Sequence, residues 1–201
     1  MTQWGLAWLW AGMVDTLPAV LDDAARRLER AASDRGSPMH TPVVATADAD
    51  ARVMVLRAFA RWTLRFHTDT RAPKVAVIQS DPRVGVLFYD KAEKVQIRVR
   101  GTARVERHSA IAQAAWEAAD NFARRCYLGD GPGMQSDTPS SGLPAAFEGI
   151  KPTDTDLVPA RENFGVLLIE LTHLDWFSLS HEGHRRAQFD LENDRSRWVT
   201  P

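Results

Sequence analysis

The alternation of apolar and polar positions predicts many short strands interrupted by a few helices. Behind Thr16, a capping residue, and Pro18, tolerated in a first turn, Val20, Leu21, Ala24, Ala25 and Leu28 recur on one helical face until Gly36-Ser-Pro38 stops the pattern. Val43–Thr46, a polar turn over 47–51 and the apolar run 52–59 read as a hairpin, with a further strand over 62–68 close behind. Residues 70–80 read as a short helix with Asp69 or Thr70 as cap, Pro73 in the first turn and Val75, Ala76 and Ile78 as its buried stripe; Asp81-Pro82 ends it. Strands follow at 84–89 and Val95–Glu106, joined by a charged turn. In the second, Val95, Ile97 and Val99 alternate with Gln96, Arg98 and Arg100, so one face is core and the other meets solvent, a partner chain or a ligand. A helix is expected over 109–128, with Ile111, Ala115, Trp116, Ala119, Phe122 and Ala123 near helical spacing. The segment 129–162 holds five of the twelve glycines and five of the eleven prolines and reads as a long irregular loop. Strands over 164–171, 174–179, 185–191 and 197–199 close the chain. This order predicts a mainly β, α+β protein: a small antiparallel barrel over 40–201 with flanking helices, preceded by an apolar segment and helix over 1–39.

Composition narrows the class. The chain has 201 residues, 44% of them hydrophobic and 25% charged, enough to bury a sizeable core and too apolar for disorder throughout. With one cysteine, Cys126, no intrachain disulfide is possible, and no Cys/His cluster has zinc spacing, so no metal site is expected. Cys126 reads as a small buried residue, and His173 and His181 as surface or turn residues. The Trp-rich stretch 4–14 lacks a basic leader and is shorter than the ~20 apolar residues of a membrane span. It reads as a packing segment at a domain or dimer surface of a cytoplasmic protein.

Charge adds a question about partners. Between Arg52 and Arg107 there are thirteen basic residues against five acidic ones, although the whole chain carries a formal charge of −1. Such asymmetry suggests an anionic partner: nucleic acid, a membrane surface or a phosphorylated small molecule. Arg52 and Arg57, five residues apart, point to opposite faces of a regular strand and share a side only if it bends. The junction 67–74, His67-Thr-Asp-Thr-Arg-Ala-Pro-Lys74, runs from a strand end into a helix start. There, free backbone N–H groups, hydroxyls and the cations Arg71 and Lys74 can gather on an anion. A solvated helix cap is the plainer reading of the same residues.

Four runs in this order, Arg52-Val-Met-Val-Leu-Arg57, Phe66-His-Thr-Asp-Thr-Arg-Ala-Pro-Lys74, Asp81-Pro-Arg-Val-Gly-Val-Leu-Phe88 and Gln96-Ile-Arg-Val-Arg-Gly101, resemble the flavin-binding core of the pyridoxamine 5′-phosphate oxidase family, in its oxidase-like branch. Glu162-Asn-Phe164, Leu174-Asp-Trp176 and Gly183-His-Arg-Arg-Ala-Gln-Phe189 extend the resemblance over about 40–190. It implies an FMN-binding split β-barrel with Greek-key-like topology, assembled as a homodimer with FMN at the subunit interface. It implies Arg52 and Lys74 on the FMN phosphate with Arg71 close by, and Val53, Met54, Val55, Leu56 and Arg57 along the flavin ring. His67 and Thr68 match a strand-end pair that contacts the flavin, the first commonly being Tyr. Gln96 matches a glutamine reaching the partner's flavin, Gln135-Ser136 a Gln-Ser pair at the same site, Trp176 or Phe177 an aromatic over the flavin, and Arg185 or Arg186 a late arginine. Arg57, His184 and Arg185 are the substrate candidates.

The resemblance implies hydride transfer from a small substrate, such as a phosphorylated amine or alcohol, to FMN. No side-chain nucleophile is required, and no convincing Ser/His/Asp or Cys/His arrangement is present. The family's phosphate-binding Tyr, Arg and Ser on the helix after the long strand are not matched, since this chain has Trp116 and Asp120 there. A non-catalytic flavin or haem carrier of the same fold is the alternative. Nucleic-acid binding is disfavoured, because the basic residues interleave with buried strand positions and only four of twenty-five are Lys.

Overall fold

The computed structural model describes residues 15–180 and 183–201; the expectations for 4–14 and for His181 lie outside the described residues. Helix α1 spans Leu17–Ser33. Strands β1 (Val43–Thr46), β2 (Ala51–Val53), β3 (Leu56–Ala60) and β4 (Thr63–Asp69) follow, then α2 (Pro73–Ser80), β5 (Arg83–Asp90) and β6 (Val95–Glu106). Two short helices, α3 (Ala110–Glu117) and α4 (Asn121–Arg124), lead through 3-10 turns at Arg125–Leu128, Ala145–Phe147 and Pro159–Asn163 into β7 (Phe164–Ser178), β8 (Arg185–Asp190) and β9 (Arg195–Val199).

The nine strands form one antiparallel sheet in the order β2-β1-β5-β6-β7-β4-β3, with β8 and β9 continuing from the far half of β7. Its inner face carries the main core, including Leu56, Phe66, Phe88, Ile97, Ile169 and Leu174, closed by Val20, Ala24 and Leu28 of α1. The Thr16 hydroxyl caps α1 by accepting the Ala19 N–H. Inside the core, Oδ2 of Asp23 in α1 accepts from the Trp176 indole at 3.1 Å and from Arg27 at 2.8 Å, which ties the helix to β7. A second, smaller core of Ala112, Trp116, Tyr127, Leu157, Phe164, Val166 and Leu168 covers the outside of β7. Burial on both faces is why Phe164–Ile169 is a continuous apolar run instead of an alternating one.

Four elements differ from expectation. The run 52–59 is two strands, because the chain bends at Met54-Val55 and moves from one edge of the sheet to the other. Helix α2 begins at Pro73 with Ala72 at the cap position and no side-chain cap; Asp69 binds Arg71 instead, and the Thr70 N–H and hydroxyl both go to the Asn163 carbonyl. The helix over 109–128 breaks after Glu117, and Asp120 restarts it by accepting the Phe122 N–H at 2.8 Å. The two strands over 164–179 are one, since Thr172 is accommodated as a bulge opposite Arg100/Gly101 and not as a turn.

At that bulge β6 and β7 approach closely. A Cβ at Gly101 would stand 2.1 Å from the Glu170 carbonyl oxygen, whereas one at Gly85 would meet nothing nearer than 3.9 Å. Only glycine fits at the first position, because the obstacle is backbone. Gly101→Ala is therefore expected to cost about 1–3 kcal/mol in the urea midpoint, with Gly85→Ala within about 0.5 kcal/mol of the parent. Equal effects of the two changes would contradict this origin of the bend.

Candidate functional site

The bend at Met54-Val55 builds the site. The Met54 N–H donates to the Pro42 carbonyl at 3.0 Å and the Leu56 N–H to the His40 carbonyl at 2.9 Å, which ties the crossing segment to the chain leaving α1. Because the strand does not run straight, Arg52 and Arg57 line the same cleft. Its volume is about 340 Å³, and its walls are Arg52, Val53, Met54, Val55, Arg57, His67, Thr68, Asp69, Lys74, Cys126, Tyr127 and Pro132. Eight of these, Arg52, Val53, Met54, Val55, Arg57, His67, Thr68 and Lys74, are sequence candidates.

One end is cationic. Arg52 donates to the Val44 carbonyl at 3.3 Å and the Thr46 hydroxyl at 3.0 Å, and pairs with Asp50. Lys74, in the first turn of α2, is half-buried and is in no ion pair among the described residues. Burial, followed by the Arg52 charge, pushes its ammonium below the usual lysine range, against an opposite pull from Asp69 and Asp50. The first turn of α2 has no side-chain cap; it opens with Pro73, which has no N–H, and the Val75 N–H donates to the Ala72 carbonyl at 2.8 Å.

Arg71 does not line the cleft. Its guanidinium forks onto Asp69 at 3.0 and 2.7 Å and reaches the Gly129 carbonyl at 3.0 Å, fastening the start of the long loop beside α2. The cleft wall formed by Cys126, Tyr127 and Pro132 belongs to that loop and the turn before it. Cys126 is exposed at this rim, not buried, because the helix has ended by Arg124 and the chain turns outward.

His67 and Arg57 occupy the other end. The imidazole meets Phe164 edge-on with centroids 5.0 Å apart, and Phe164 meets Tyr127 at 5.1 Å and Trp116 at 5.3 Å. Burial, with the charges of Arg57 and Arg65, pushes the His67 pKa down to about 4, so the ring is neutral at physiological pH. Burial likewise raises the Tyr127 phenol, which stays protonated. The Nε atoms of Arg57 and Arg65 are buried without a hydrogen-bond partner.

The remaining candidates lie elsewhere in the protomer. Leu56 points into the core, and so does Trp176, whose indole is taken by Asp23. Gln135 and Ser136 are exposed in the long loop, where the Ser136 hydroxyl donates to the Thr138 carbonyl. Gln96 sits across from Phe177, and Phe177 from Arg186, in one row on the outward face of β6, β7 and β8. His184 packs against Phe177 at 5.7 Å, and Arg185 pairs with Asp15.

That outward face is a trough of about 1280 Å³. One row across it runs Val53, Val43, Leu87, Arg98, Asp175, Gln188, Arg197, apolar at the β2 end and charged at the β9 end. Burial opposes ionisation of Asp175, but hydrogen bonds from Arg186 and Gln188 and the charges of Arg98 and Arg186 outweigh it and hold the carboxylate below its usual range. Val53 lines the cleft and pairs with Val43, which lines the trough, so the two adjoin at β1 and β2.

Cys126, Tyr127 and Pro132 are cleft residues that the motifs did not point to, and Asp69 lies within a motif that gave it no site role. Among the described residues, no helix is long and apolar enough to cross a membrane, and no three His, Cys, Asp or Glu side chains are grouped to hold a metal ion.

Comparison with known proteins agrees with this geometry. Residues 24–107 match the family model for the pyridoxamine 5′-phosphate oxidase FMN-binding domain. A pyridoxine/pyridoxamine 5′-phosphate oxidase of Caulobacter vibrioides is 30% identical over 82 residues, 39% of this chain and 37% of that protein, so the chain spans little more than a third of this relative's length. The structure of a pyridoxamine 5′-phosphate oxidase-related, FMN-binding protein from Nostoc punctiforme superposes with a TM-score of 0.69 at 25% identity, covering 90% of this chain and 96% of that one. PhzG of Burkholderia lata, in complex with tetrahydrophenazine-1-carboxylic acid, shares the fold at TM-score 0.68 and 16% identity over 94% of this chain and all of its own. The curled antiparallel sheet is thus the split barrel of these proteins, and residues 24–107, which supply most of the cleft walls, are similar to the pyridoxamine 5′-phosphate oxidase FMN-binding domain.

Proposed function

We propose that the protein is an FMN-dependent oxidoreductase, acting as a homodimer on a small substrate. The observation that carries this reading is Lys74: a half-buried ammonium in no ion pair among the described residues, beside Arg52 and a helix start without a side-chain cap. A half-buried cation met only by the opposing pull of Asp69 and Asp50, with Arg52 beside it, is costly, and a dianionic phosphate is the ligand that would offset it. Arg52 and Lys74 would hold the FMN phosphate, and Val53, Met54 and Val55 offer an apolar wall with backbone groups for the ring. Arg57, His67 and Thr68 stand at the opposite end. When bound, FMN supplies a two-electron acceptor for hydride; the chain supplies orientation, charge and exclusion of water.

The trough supports the dimer. Val53, Leu87 and Tyr89 are exposed at its apolar end, and Gln96, Phe177 and Arg186 form a row beside it. A partner seated here would reach the cleft through β2 and bring those residues, with His184 and Arg185, towards the opposite protomer's flavin. Phe177 suits the aromatic position better than Trp176, which is committed to Asp23.

Purified protein incubated with FMN is expected to retain about one flavin per protomer and to sediment as a dimer. Lys74→Met should weaken FMN about ten- to a hundredfold, since a hydrogen bond to a charged group contributes about 1.5–3 kcal/mol. Its melting temperature should hold or rise, because the unpaired buried charge is gone. A variant that binds FMN as the parent does would remove the basis of the assignment.

The depressed His67 pKa also has a sign that can be measured. The unfolded ring takes a proton near pH 6.5 and the folded one only near 4, so its contribution is full above about 6.5 and is lost as pH falls through that window. Between pH 7 and pH 5 the parent should lose more stability than His67→Phe in urea titrations. Equal losses would mean that His67 is not held neutral.

A further inference from the structure

Tyr127 is 8% exposed, yet it lines the cleft with Val53, Met54, Val55 and Arg57. Its ring is fixed by two neighbours, edge-on to Phe164 at 5.1 Å and to Trp116 at 6.2 Å. The backbone is fixed too. The Asn163 side-chain amide donates to the Tyr127 carbonyl at 2.9 Å, and the Asn163 carbonyl takes the Thr70 N–H and hydroxyl of the 67–74 junction. A side chain held in this way presents its hydroxyl at a set place, because turning the ring would break both aromatic contacts.

The protomer makes little use of that hydroxyl. Buried phenols ordinarily find a hydrogen-bond partner, but among the described residues no oxygen or nitrogen takes the Tyr127 proton. Its polar neighbour is the Cys126 thiol, a weak acceptor whose own proton goes to the Ala123 carbonyl at 3.0 Å. The His67 ring, which also meets Phe164 edge-on, likewise has no hydrogen-bond partner among the described residues. Both rings feel the Arg57 charge, so they stand at the same end of the cleft. Burial keeps the phenol protonated and the imidazole neutral, while the Asp69 carboxylate acts on Tyr127 and Cys126. This wall therefore offers a neutral donor near a negative charge, which disfavours an anion and suits a carbonyl oxygen or a ring nitrogen.

We propose that Tyr127 is a cofactor-contacting residue whose hydroxyl donates a hydrogen bond to a neutral acceptor on the flavin ring. The assignment rests on the FMN reading, and it puts a ring contact on the turn after α4, outside the segment 24–107 that resembles the FMN-binding domain. Arg52 and Lys74 would hold the phosphate, which riboflavin lacks; Tyr127 reads the ring, which both flavins share.

The test compares Tyr127→Phe with the parent by fluorescence titration of FMN and, separately, riboflavin. Phenylalanine keeps the contacts with Phe164 and Trp116 and removes only the hydroxyl. FMN and riboflavin should each bind about three- to tenfold more weakly, with their affinity ratio unchanged, and the visible absorption band of the bound flavin should move. The flavin-free variant should melt at the parent's temperature or slightly above it; a fall would mean that the hydroxyl is structural and would overturn the proposal. The same loss of affinity should appear when Tyr127→Phe is made in a Cys126→Ala background. Its disappearance there would mean that the phenol acts through the thiol, which also overturns the contact. Unchanged affinities, a loss confined to FMN, or an unmoved absorption band would overturn it while leaving the FMN reading intact. A parent that binds neither flavin is the separate failure of that reading, and the Tyr127 contact falls with it.

Discussion

Everything that gives this fold a site follows from a two-residue crossing. Strands β2 and β3 are neighbours in sequence but occupy opposite edges of the β2-to-β3 sheet path, with only Met54 and Val55 between them. From Val53 to Leu56 the chain can reach at most roughly 11 Å. A flat sheet would separate its edges by several strand spacings, so the sheet must curl until they nearly meet. The curl is helped where β6 and β7 bend at Gly101 and Thr172, and it is held by hydrogen bonds from the crossing to Pro42 and His40. The His40 ring meets the carbonyl of Ala31 in α1 at 2.7 Å, which links the first helix to the same point.

The crossing also determines the chemistry. Strand ends that meet across a bend expose backbone and bring together side chains that a continuous strand would send to opposite faces. Hence Arg52 and Arg57 share a cleft, with Lys74 at one end and His67 at the other. Most cations of the basic stretch are neutralised locally: Arg71 by Asp69, Arg83 by Asp81, Arg98 by Asp175, and Arg104 by Glu106 and Glu170. The near-zero net charge reflects that compensation, and the half-buried unpaired cations stand out against it. Retaining them lowers stability, which is the usual signature of a site kept for a ligand.

Much of the fold was legible because the signals were local. β1 and β6 fall where alternation put them, and α1 starts at its Thr16 cap. What failed depended on distant contacts. Nothing in Met54-Val55 announces a change of edge, and Thr172 reads as a turn until β6 is known to bridge across it. Arg71 reads as a cation close to a phosphate site because its hold on Gly129, 58 residues further along, is tertiary and leaves no mark in the spacing. Residues at 67–74 and 52–57 were readable since one motif carries several of them. Tyr127 and Pro132 were not, as they reach the cleft only through the docking of the long loop. Gln96, Phe177 and Arg186 share an outward row, a relation set by strand register and invisible in spacing.

The bend at residues 54–55 creates a cleft with Arg52 and Lys74 at one end, and the proposed ligand there is a phosphate on an apolar ring system. Comparing the affinities of FMN and riboflavin for the unmodified protein tests it most directly, because the two differ only in that phosphate. FMN should bind at least about a hundredfold more tightly, the equivalent of about 2.7 kcal/mol from charge-assisted contacts. Equal affinities, or no binding of either, would contradict the account.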